Sequence, residues 1–299
     1  MTVLSIQSSV SFGYVGNSIA IPTLQKLGHD CWYIHTVYFS NHPGHKEFSG
    51  EFAKPKTIHE KIQKIREIGG LSNCEAVLSG YLGLPSNARI VSNAVDHIRK
   101  INENSFYVLD PVIGDDNKIF VKRGVLSAVR DILLPKADFV VPNKSELFWL
   151  SGQAVDDTST MISAARKLLQ NGPRTIFVTG LVEDKQIANY AINRIGVWRA
   201  AGRYIDKKFN GTGDFFSALV TGLLSCVYKF GLTLWIPMIG FLAYKSLPSK
   251  KILTLVVIIF HSLIAKITPW FWANILKDYQ RDRLIIFLDP SQDPLGGGY

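Results

Sequence analysis

Apolar runs rich in β-branched residues alternate with amphipathic stretches along most of the chain. The apolar runs predict strands at Met1–Gln7, Cys31–Phe39, Ala76–Ser79, Phe106–Asp110, Phe139–Val141 and Thr175–Thr179. Apolar residues at helical spacing predict helices ending near Leu27 and at Ile58–Ile68, Asn87–Lys100, Val125–Leu133 and Thr160–Gln170. Since buried parallel strands read as short apolar runs separated by helices, the pattern predicts an α/β fold. Its central sheet should be mostly parallel, with helices on both faces.

Small and polar residues follow the predicted strands, at the edge where an open α/β sheet binds its ligands. Two of these segments read as loops, Ser8–Gly16 and Ser40–Gly44. The other strand ends carry hydroxyl, acidic or small groups, namely Gly80, Tyr81, Asp110, Asn143, Glu146, Thr179 and Gly180. We therefore expect a small-molecule site along this edge of the sheet.

The composition indicates a globular protein and argues against nucleic-acid binding. Of 299 residues, 47% are hydrophobic and 19% are charged, which is enough to build a sizeable core. The net charge is +9, but residues 1–225 hold 25 Lys and Arg against 20 Asp and Glu, scattered along the chain. No basic run is interleaved with aromatic residues, as a single-strand binding groove would require. No nucleic-acid partner is expected.

The cysteines and the N-terminus indicate a cytoplasmic protein. Cys31, Cys74 and Cys226 are odd in number and far apart, and no C-x-x-C occurs. This predicts a reducing compartment without a disulfide or zinc framework. The first ten residues lack a charged n-region and lead directly into a strand pattern, so no signal peptide is expected.

The segment Gly211-Thr212-Gly213-Asp214 precedes a helical pattern. Glycines before a helix let backbone N–H groups converge on an anion, and the helix dipole favours negative charge there. A carboxylate at this point can take the proton from an attacking alcohol while the N–H groups hold the charge on a phosphoryl group. The alternative is a plain turn in which Asp214 is the helix N-cap.

A second acidic segment runs from Asp110 through Pro111 and Gly114 to Asp115. Proline after a strand-ending aspartate favours an extended exit and keeps the carboxylate at the rim. Phosphate-bound Mg²⁺ is held by one or two carboxylates plus waters, and Asp110, Asp115 and Glu146 are candidates. Each is equally compatible with a surface acid at a strand-end turn. The loop before Gly16 has G-x-x-G rather than a dinucleotide fingerprint, and the chain has no Walker sequence.

Together these segments resemble the pyridoxal/pyridoxamine kinases of the ribokinase-like superfamily. The matching stretches, in family order, are Ser5–Ser8, Val15–Asn17, Phe39–His42, Leu78–Gly83, Asp110–Gly114, Pro142-Asn143 with Glu146, Val178-Thr179 and Gly211–Asp214. The resemblance implies a ribokinase-like kinase domain over residues 1–225. It also implies transfer of phosphate from ATP, with Mg²⁺, to the 5′-hydroxymethyl of pyridoxal, pyridoxamine or pyridoxine, and a homodimer.

The resemblance also implies residue roles. Asp214 would be the base, with Gly211, Thr212 and Gly213 as its anion hole. Ser8, Tyr81 and Asp214 would bind the vitamin, beside Pro43 and Gly44. Relatives often carry a threonine at the position of Pro43. The ATP phosphates and Mg²⁺ would lie among Asp110, Asp115, Val141, Asn143, Glu146 and Thr179, with Asp110 and Glu146 bound to the metal directly or through water. Some relatives carry lysine where this chain has Thr179.

Residues 226–299 depart from the family and form an atypical apolar tail. No acidic residue lies between Phe215 and Lys277, whereas several Trp and Pro occur. Three interpretations are open: a membrane helix, a diverged helical tail, and a reading-frame disruption after about Cys226. The apolar run Ile252–Ala265 is shorter than the ~20 residues of a membrane helix and contains His261, so no membrane partner is expected. The composition favours the frame disruption.

Two other functions remain open from the sequence. One is a kinase of a related hydroxymethyl heterocycle. The other is a protein that binds vitamin B6 but has lost its adenine site through the altered tail. ATP affinity distinguishes this second alternative from an active kinase, because the predicted vitamin pocket precedes residue 226.

Replacing residues 226–299 with a typical family C-terminus should raise soluble yield, ATP affinity and pyridoxal phosphorylation. The present tail lacks the polar face of a sheet-packing helix and would leave apolar surface exposed. The two proteins are compared side by side in these three assays. A native chain as monodisperse and as active as the chimera would contradict the frame-disruption hypothesis.

Overall fold

The computed structural model describes residues 1–207 and 209–224, and the tail predicted at 226–299 lies outside them. The strands are β1 Thr2–Phe12, β2 Asp30–Asn41, β3 Gly50–Phe52, β4 Cys74–Ser79, β5 Phe106–Leu109, β6 Gly114–Asp115, β7 Lys118–Ile119, β8 Phe139–Val140, β9 Thr175–Glu183, β10 Gln186–Asn193 and β11 Val197–Arg203. The helices are α1 Asn17–Lys26, α2 Pro55–Glu67, α3 Asn87–Ile101, α4 Val125–Ala128, α5 Lys144–Ser151, α6 Thr158–Leu169 and α7, residues 212–224.

One large sheet organises these elements, and its arrangement confirms the predicted mostly parallel α/β fold. Within the described ranges its order is β11-β10-β9-β8-β5-β4-β1-β2-β3. The strands from β9 to β2 pair in parallel, whereas β10, β11 and β3 are antiparallel additions at the two edges. Strands β6 and β7 form a separate short hairpin.

The side chains of each strand alternate between two hydrophobic layers, because successive residues of a strand point to opposite faces of the sheet. Leu4 and Ile6 of β1 pack with residues of α2, α3 and α6 on one face. Val3, on the other face, packs in the cluster that contains Leu24 of α1 and Ala218 of α7. Complete burial of one such Leu or Ile contributes ~1.5–3 kcal/mol.

Two predicted loops are partly strand. β1 continues through Ser8 to Phe12, because β2 pairs alongside it as far as Phe12 opposite Asn41. The register shifts between Gln7 and Ser9, so Ser8 occupies an irregularity in the pairing. The small polar residues of this segment predict a loop, but pairing with β2 holds the segment as a strand.

The structure also contains elements that the hydrophobic pattern did not predict. Strand β9 runs past Thr179 to Glu183, and β10 and β11 follow it as an antiparallel extension. The short helix α5 follows β8 directly, and the predicted helix Val125–Leu133 is one α-helical turn followed by a π-helical turn at Val129–Leu133. Among the described residues, no helix is both long and apolar enough to cross a membrane.

A buried carboxylate, Asp138, ties the parallel strands to the helical layer. Its Oδ2 accepts from Arg99 at 2.6 Å and from the Tyr107 backbone N–H at 2.9 Å, and Arg174 lies 3.1 Å from its Oδ1. Asp138 is 5% exposed. A buried carboxylate with these donors stabilises the fold only while they remain in place, because a lost partner leaves a buried polar group unpaired.

Asp138→Ala should therefore lower the free energy of unfolding by about 2–3 kcal/mol, since it leaves the buried Tyr107 N–H without this acceptor and removes the ion pairs with Arg99 and Arg174. The measurement is urea unfolding followed by circular dichroism. Asp131→Ala is the matched control, because Asp131 forms an exposed pair with Arg130 and its removal should change little. Equal losses in the two variants would contradict a special role for Asp138.

Candidate active site

Three acidic side chains meet at the carboxyl edge of the sheet. Asp110 follows β5 and donates its backbone N–H to the Ser79 carbonyl at 2.9 Å. Glu146 lies in the first turn of α5, and Asp214 lies in the first turn of α7. Burial raises the pKa of Asp110 well above its ordinary value, and the charges of Asp214 and Glu146 raise it further. The edge predicted to bind ligand therefore concentrates negative charge.

Glu146 is held by backbone donors as well as by its position in α5. Its Oε1 accepts from the Ile113 N–H at 2.8 Å, and its Oε2 accepts from the Asn143 N–H at 3.0 Å. Asn143 completes a capping box by accepting from the Glu146 N–H at 2.9 Å. Burial raises the pKa of Glu146 to about 7, although these donors act in the opposite direction. Both carboxylate oxygens therefore already accept hydrogen bonds from the backbone, one from Ile113 and one from Asn143.

Asp214 lies in α7 but does not cap it. The Phe215 N–H donates to the Gly211 carbonyl at 2.9 Å, so Gly211 occupies the N-cap position and the alternative of Asp214 as N-cap is wrong. Burial raises the pKa of Asp214 to about 6, and a hydrogen bond from the Gly16 N–H opposes that rise. A half-buried carboxylate of this kind is free to accept a proton near neutral pH.

The first loop and the Gly211–Asp214 turn approach too closely for side chains. Gly211 has φ +83°, and a Cβ there would collide with the Tyr14 carbonyl. Gly16 has φ +54°, and a Cβ there would collide with Ser8. Only glycine permits both the left-handed backbone and the contact. The loop that ends at Gly16, noted in the sequence for its G-x-x-G spacing, therefore supports Asp214.

The residues expected to bind the vitamin lie along the same edge, with different exposure. Ser8 is buried at the irregularity of β1, and Tyr81 is half-buried, which raises its pKa. The Tyr81 carbonyl accepts from Thr36 Oγ1 at 2.6 Å, which fixes its loop to β2. Pro43 and Gly44 are exposed in the loop after β2.

The residues expected to bind ATP form a second group around β8 and β9. Asn143 Nδ2 donates to the Gly114 carbonyl at 2.7 Å, and the Thr179 N–H donates to the Pro142 carbonyl at 3.0 Å. Asp115 is exposed in β6, as are Thr212 and Gly213 at the start of α7. Val141 is buried in the apolar layer, so its side chain belongs to the core.

The acidic cluster fits a divalent cation that arrives with phosphate groups. Within residues 1–207 and 209–224, no three His, Cys, Asp or Glu side chains form a ready metal site. One oxygen of Asp110 accepts from Ser217, and both oxygens of Glu146 accept from backbone. Mg²⁺ is commonly held by one or two carboxylates, substrate phosphates and waters, which suits this partly committed set.

Sequence reasoning missed two supports of the site. Ser217, on the buried side of α7, contacts Asp110, and the Gly16 N–H reaches Asp214. It also treated Asn143 and Glu146 only as ligand residues, although N-x-x-E before an apolar stretch is a readable capping signal. Ser217 had no comparable signal, because a serine in an amphipathic helix is unremarkable until its neighbour is known.

The fold and the acidic edge define a phosphotransferase of the α/β class, and comparisons with known proteins identify the family. The phosphomethylpyrimidine kinase family model matches residues 26–231. Pyridoxal kinase PdxY of Rubrobacter xylanophilus is 39% identical over 230 residues, which cover 75% of this chain and 79% of the relative. Pyridoxal kinase PdxY of Corynebacterium diphtheriae is 37% identical over 227 residues, which cover 74% of this chain and 80% of the relative.

Solved structures agree with the sequence matches. Pyridoxal kinase from Leishmania donovani in complex with ADP and pyridoxamine superposes with a TM-score of 0.71 and 31% identity, covering 75% of this chain and 79% of that one. Pyridoxal kinase from Trypanosoma brucei superposes with a TM-score of 0.66 and 30% identity, covering 77% of this chain and 81% of that one. The chain belongs to the phosphomethylpyrimidine kinase family, among the pyridoxal kinases of the ribokinase-like superfamily.

Asp110→Asn should stabilise the unliganded chain, because it removes a buried charge beside Asp214 and Glu146. The folded-state pKa of Asp110 lies above its unfolded value, so the cost of ionising it appears as the pH rises. The gain in melting temperature should be larger at about pH 8 than at about pH 5, measured by thermal unfolding without Mg²⁺ or nucleotide. Asp206→Asn, an exposed control, should give no such pH-dependent gain. Destabilisation by Asp110→Asn at both pH values would refute the electrostatic account.

Proposed function

We propose that this chain transfers the γ-phosphoryl group of ATP to the 5′-hydroxymethyl group of pyridoxal, and also of pyridoxamine and pyridoxine. The product, pyridoxal 5′-phosphate, places the reaction in vitamin B6 salvage. The observation that carries the proposal is Asp214, a carboxylate with a pKa near 6 at the glycine-rich start of α7. The names of the relatives and the ADP and pyridoxamine in the Leishmania donovani structure support the choice of substrates.

Asp214 acts as the general base in this proposal. At neutral pH its carboxylate is the predominant form, so it can take the proton from the 5′-hydroxyl as that oxygen attacks phosphorus. The backbone N–H groups of Gly211, Thr212 and Gly213 hold the charge that develops on the phosphoryl oxygens, aided by the α7 dipole. The Gly16 N–H keeps the carboxylate oriented without neutralising it.

The remaining candidate residues divide between the two substrates. Ser8 binds the polar edge of the pyridine ring, and Tyr81 lines the vitamin pocket. Pro43 has no hydroxyl, so it and Gly44 contribute backbone or packing contacts from their exposed loop. ATP lies beside Asn143, Thr179 and Asp115, and beside the backbone of Val141, whose side chain is packed in the core.

Asp110 and Glu146 would hold Mg²⁺ in this proposal, directly or through water. Backbone N–H groups already donate to both oxygens of Glu146, whereas Asp110 accepts from the Ser217 hydroxyl and the Val112 N–H. Mg²⁺ when bound neutralises phosphate charge. Asp110 and Glu146 hold negative charge at this edge, and Asn143 keeps Glu146 in its orientation.

A second candidate substrate is a hydroxymethyl pyrimidine, which the description of the matching family model favours. The two are separated by comparing kcat/KM for pyridoxal and for hydroxymethylpyrimidine with the same enzyme preparation. The proposal requires the larger value for pyridoxal. The homodimer and the cytoplasmic location stay predictions, and sedimentation and cell fractionation test them.

Asp214→Asn should lower turnover by roughly 10²–10⁴-fold while pyridoxal affinity changes little, because the amide keeps the shape but accepts no proton. In the parent enzyme, kcat/KM should fall as the pH drops below about 6, where Asp214 becomes protonated. Steady-state kinetics across pH and calorimetric pyridoxal binding provide the measurements. Asp184→Asn is the control, since this exposed turn residue should leave both quantities unchanged. Turnover within about threefold of the parent would remove Asp214 from the mechanism.

A further inference from the structure

A buried hydroxyl joins the helix that carries Asp214 to the strand that carries Asp110. Ser217 lies three residues after Asp214 in α7 and is 1% exposed. Its Oγ donates to Asp110 Oδ2 at 2.6 Å, and both groups are buried. Because residues three apart share a helix face, α7 presents the base and this hydroxyl to the same site.

The hydroxyl is the side-chain donor to Asp110 in a site crowded with negative charge. Among the ion pairs of residues 1–207 and 209–224, none involves Asp110. The Val112 backbone N–H also donates to its carboxylate, while Asp214 and Glu146 lie near enough to oppose ionisation. A neutral donor brings no opposing charge to the carboxylate, and its hydrogen bond restricts the rotation of that side chain.

We propose that Ser217 is a positioning residue that fixes the Asp110 carboxylate in the orientation that binds Mg²⁺, an inference that rests on the function proposed above. The bond holds Oδ2, and the carboxylate keeps lone pairs that can accept from a cation or a water. Groups that hydrogen bond to metal ligands commonly change metal affinity by about 10- to 100-fold when they are removed.

Thr221 provides a matched control on the same helix. It is buried like Ser217, but its Oγ1 donates to the Ser217 carbonyl at 2.7 Å, a bond within α7. Thr221→Val therefore removes a buried hydroxyl of the same helix without touching Asp110. Ser217→Ala removes the donor to Asp110, and Ser217→Thr restores a hydroxyl at that position.

The experiment measures binding as well as activity, with the full chain. Calorimetry gives the affinity for ADP with Mg²⁺, for ADP with EDTA, and for pyridoxal. Kinetics gives the Mg²⁺ concentration for half-maximal turnover. Ser217→Ala should weaken Mg²⁺-dependent ADP binding and raise the half-maximal Mg²⁺ concentration by about 10-fold. Metal-free ADP binding and pyridoxal binding should stay within about twofold, and Ser217→Thr should recover most of the loss.

The outcomes separate this inference from the proposed function. If Thr221→Val shifts the Mg²⁺ response as much as Ser217→Ala, or if the parent chain shows no Mg²⁺-dependent ADP binding, the positioning role is overturned. If the parent binds ADP with Mg²⁺ and Ser217→Ala weakens it selectively, the role stands even when pyridoxal is not phosphorylated. In that case only the proposed reaction fails.

Discussion

The crowding of three carboxylates at one buried edge is the constraint around which this structure is arranged. Asp110, Glu146 and Asp214 each have a raised pKa, and burial is the largest cause in every case. Such a cluster is tolerated only if donors satisfy the oxygens. The donors include the Ile113 and Asn143 N–H groups for Glu146, the Gly16 N–H for Asp214, and the Ser217 hydroxyl and Val112 N–H for Asp110. The loops and helix starts of this edge are positioned to deliver them.

The parallel core was predictable from sequence because burial on both faces imposes continuous apolar runs, as in β4 and β5. Strand β11 of the antiparallel extension was not, because every residue of it after Val197 is exposed and the strand has no apolar period. Helix α5 was missed since its eight residues are too few for periodicity to emerge. Ser8 was placed in a loop because hydroxyl residues usually mark turns, whereas pairing with β2 decides its conformation. Tertiary contacts override local preference at each of these positions.

The acidic residues of the site could be predicted from the sequence because the residues next to them are characteristic. Asp110 precedes a proline at a strand end, and Asp214 follows two glycines at a helix start. Their hydrogen-bond partners could not be predicted, because a donor such as Ser217 lies 107 positions from its acceptor in the sequence. The role of Gly16 was not predicted, although the loop before it was noted for its G-x-x-G spacing; its small size permits contact with Ser8 and its N–H donates to Asp214. Sequence alone identifies reactive groups more readily than the groups that orient them.

The choice of neutral donors has a consequence for binding. A lysine or arginine paired with Asp110 would neutralise it permanently and would compete with an incoming cation. Hydroxyl and N–H donors lower the cost of burying the carboxylates but leave their charge, and the pKa of Asp110 stays raised despite the Ser217 bond. The unliganded site therefore retains repulsion that a cation and its nucleotide can relieve on binding. Since a ligand that binds only the folded state adds its binding free energy to stability, the chain is least stable when this edge is empty. The repulsion within the unliganded site and its affinity for a metal nucleotide both arise from the charges of these carboxylates.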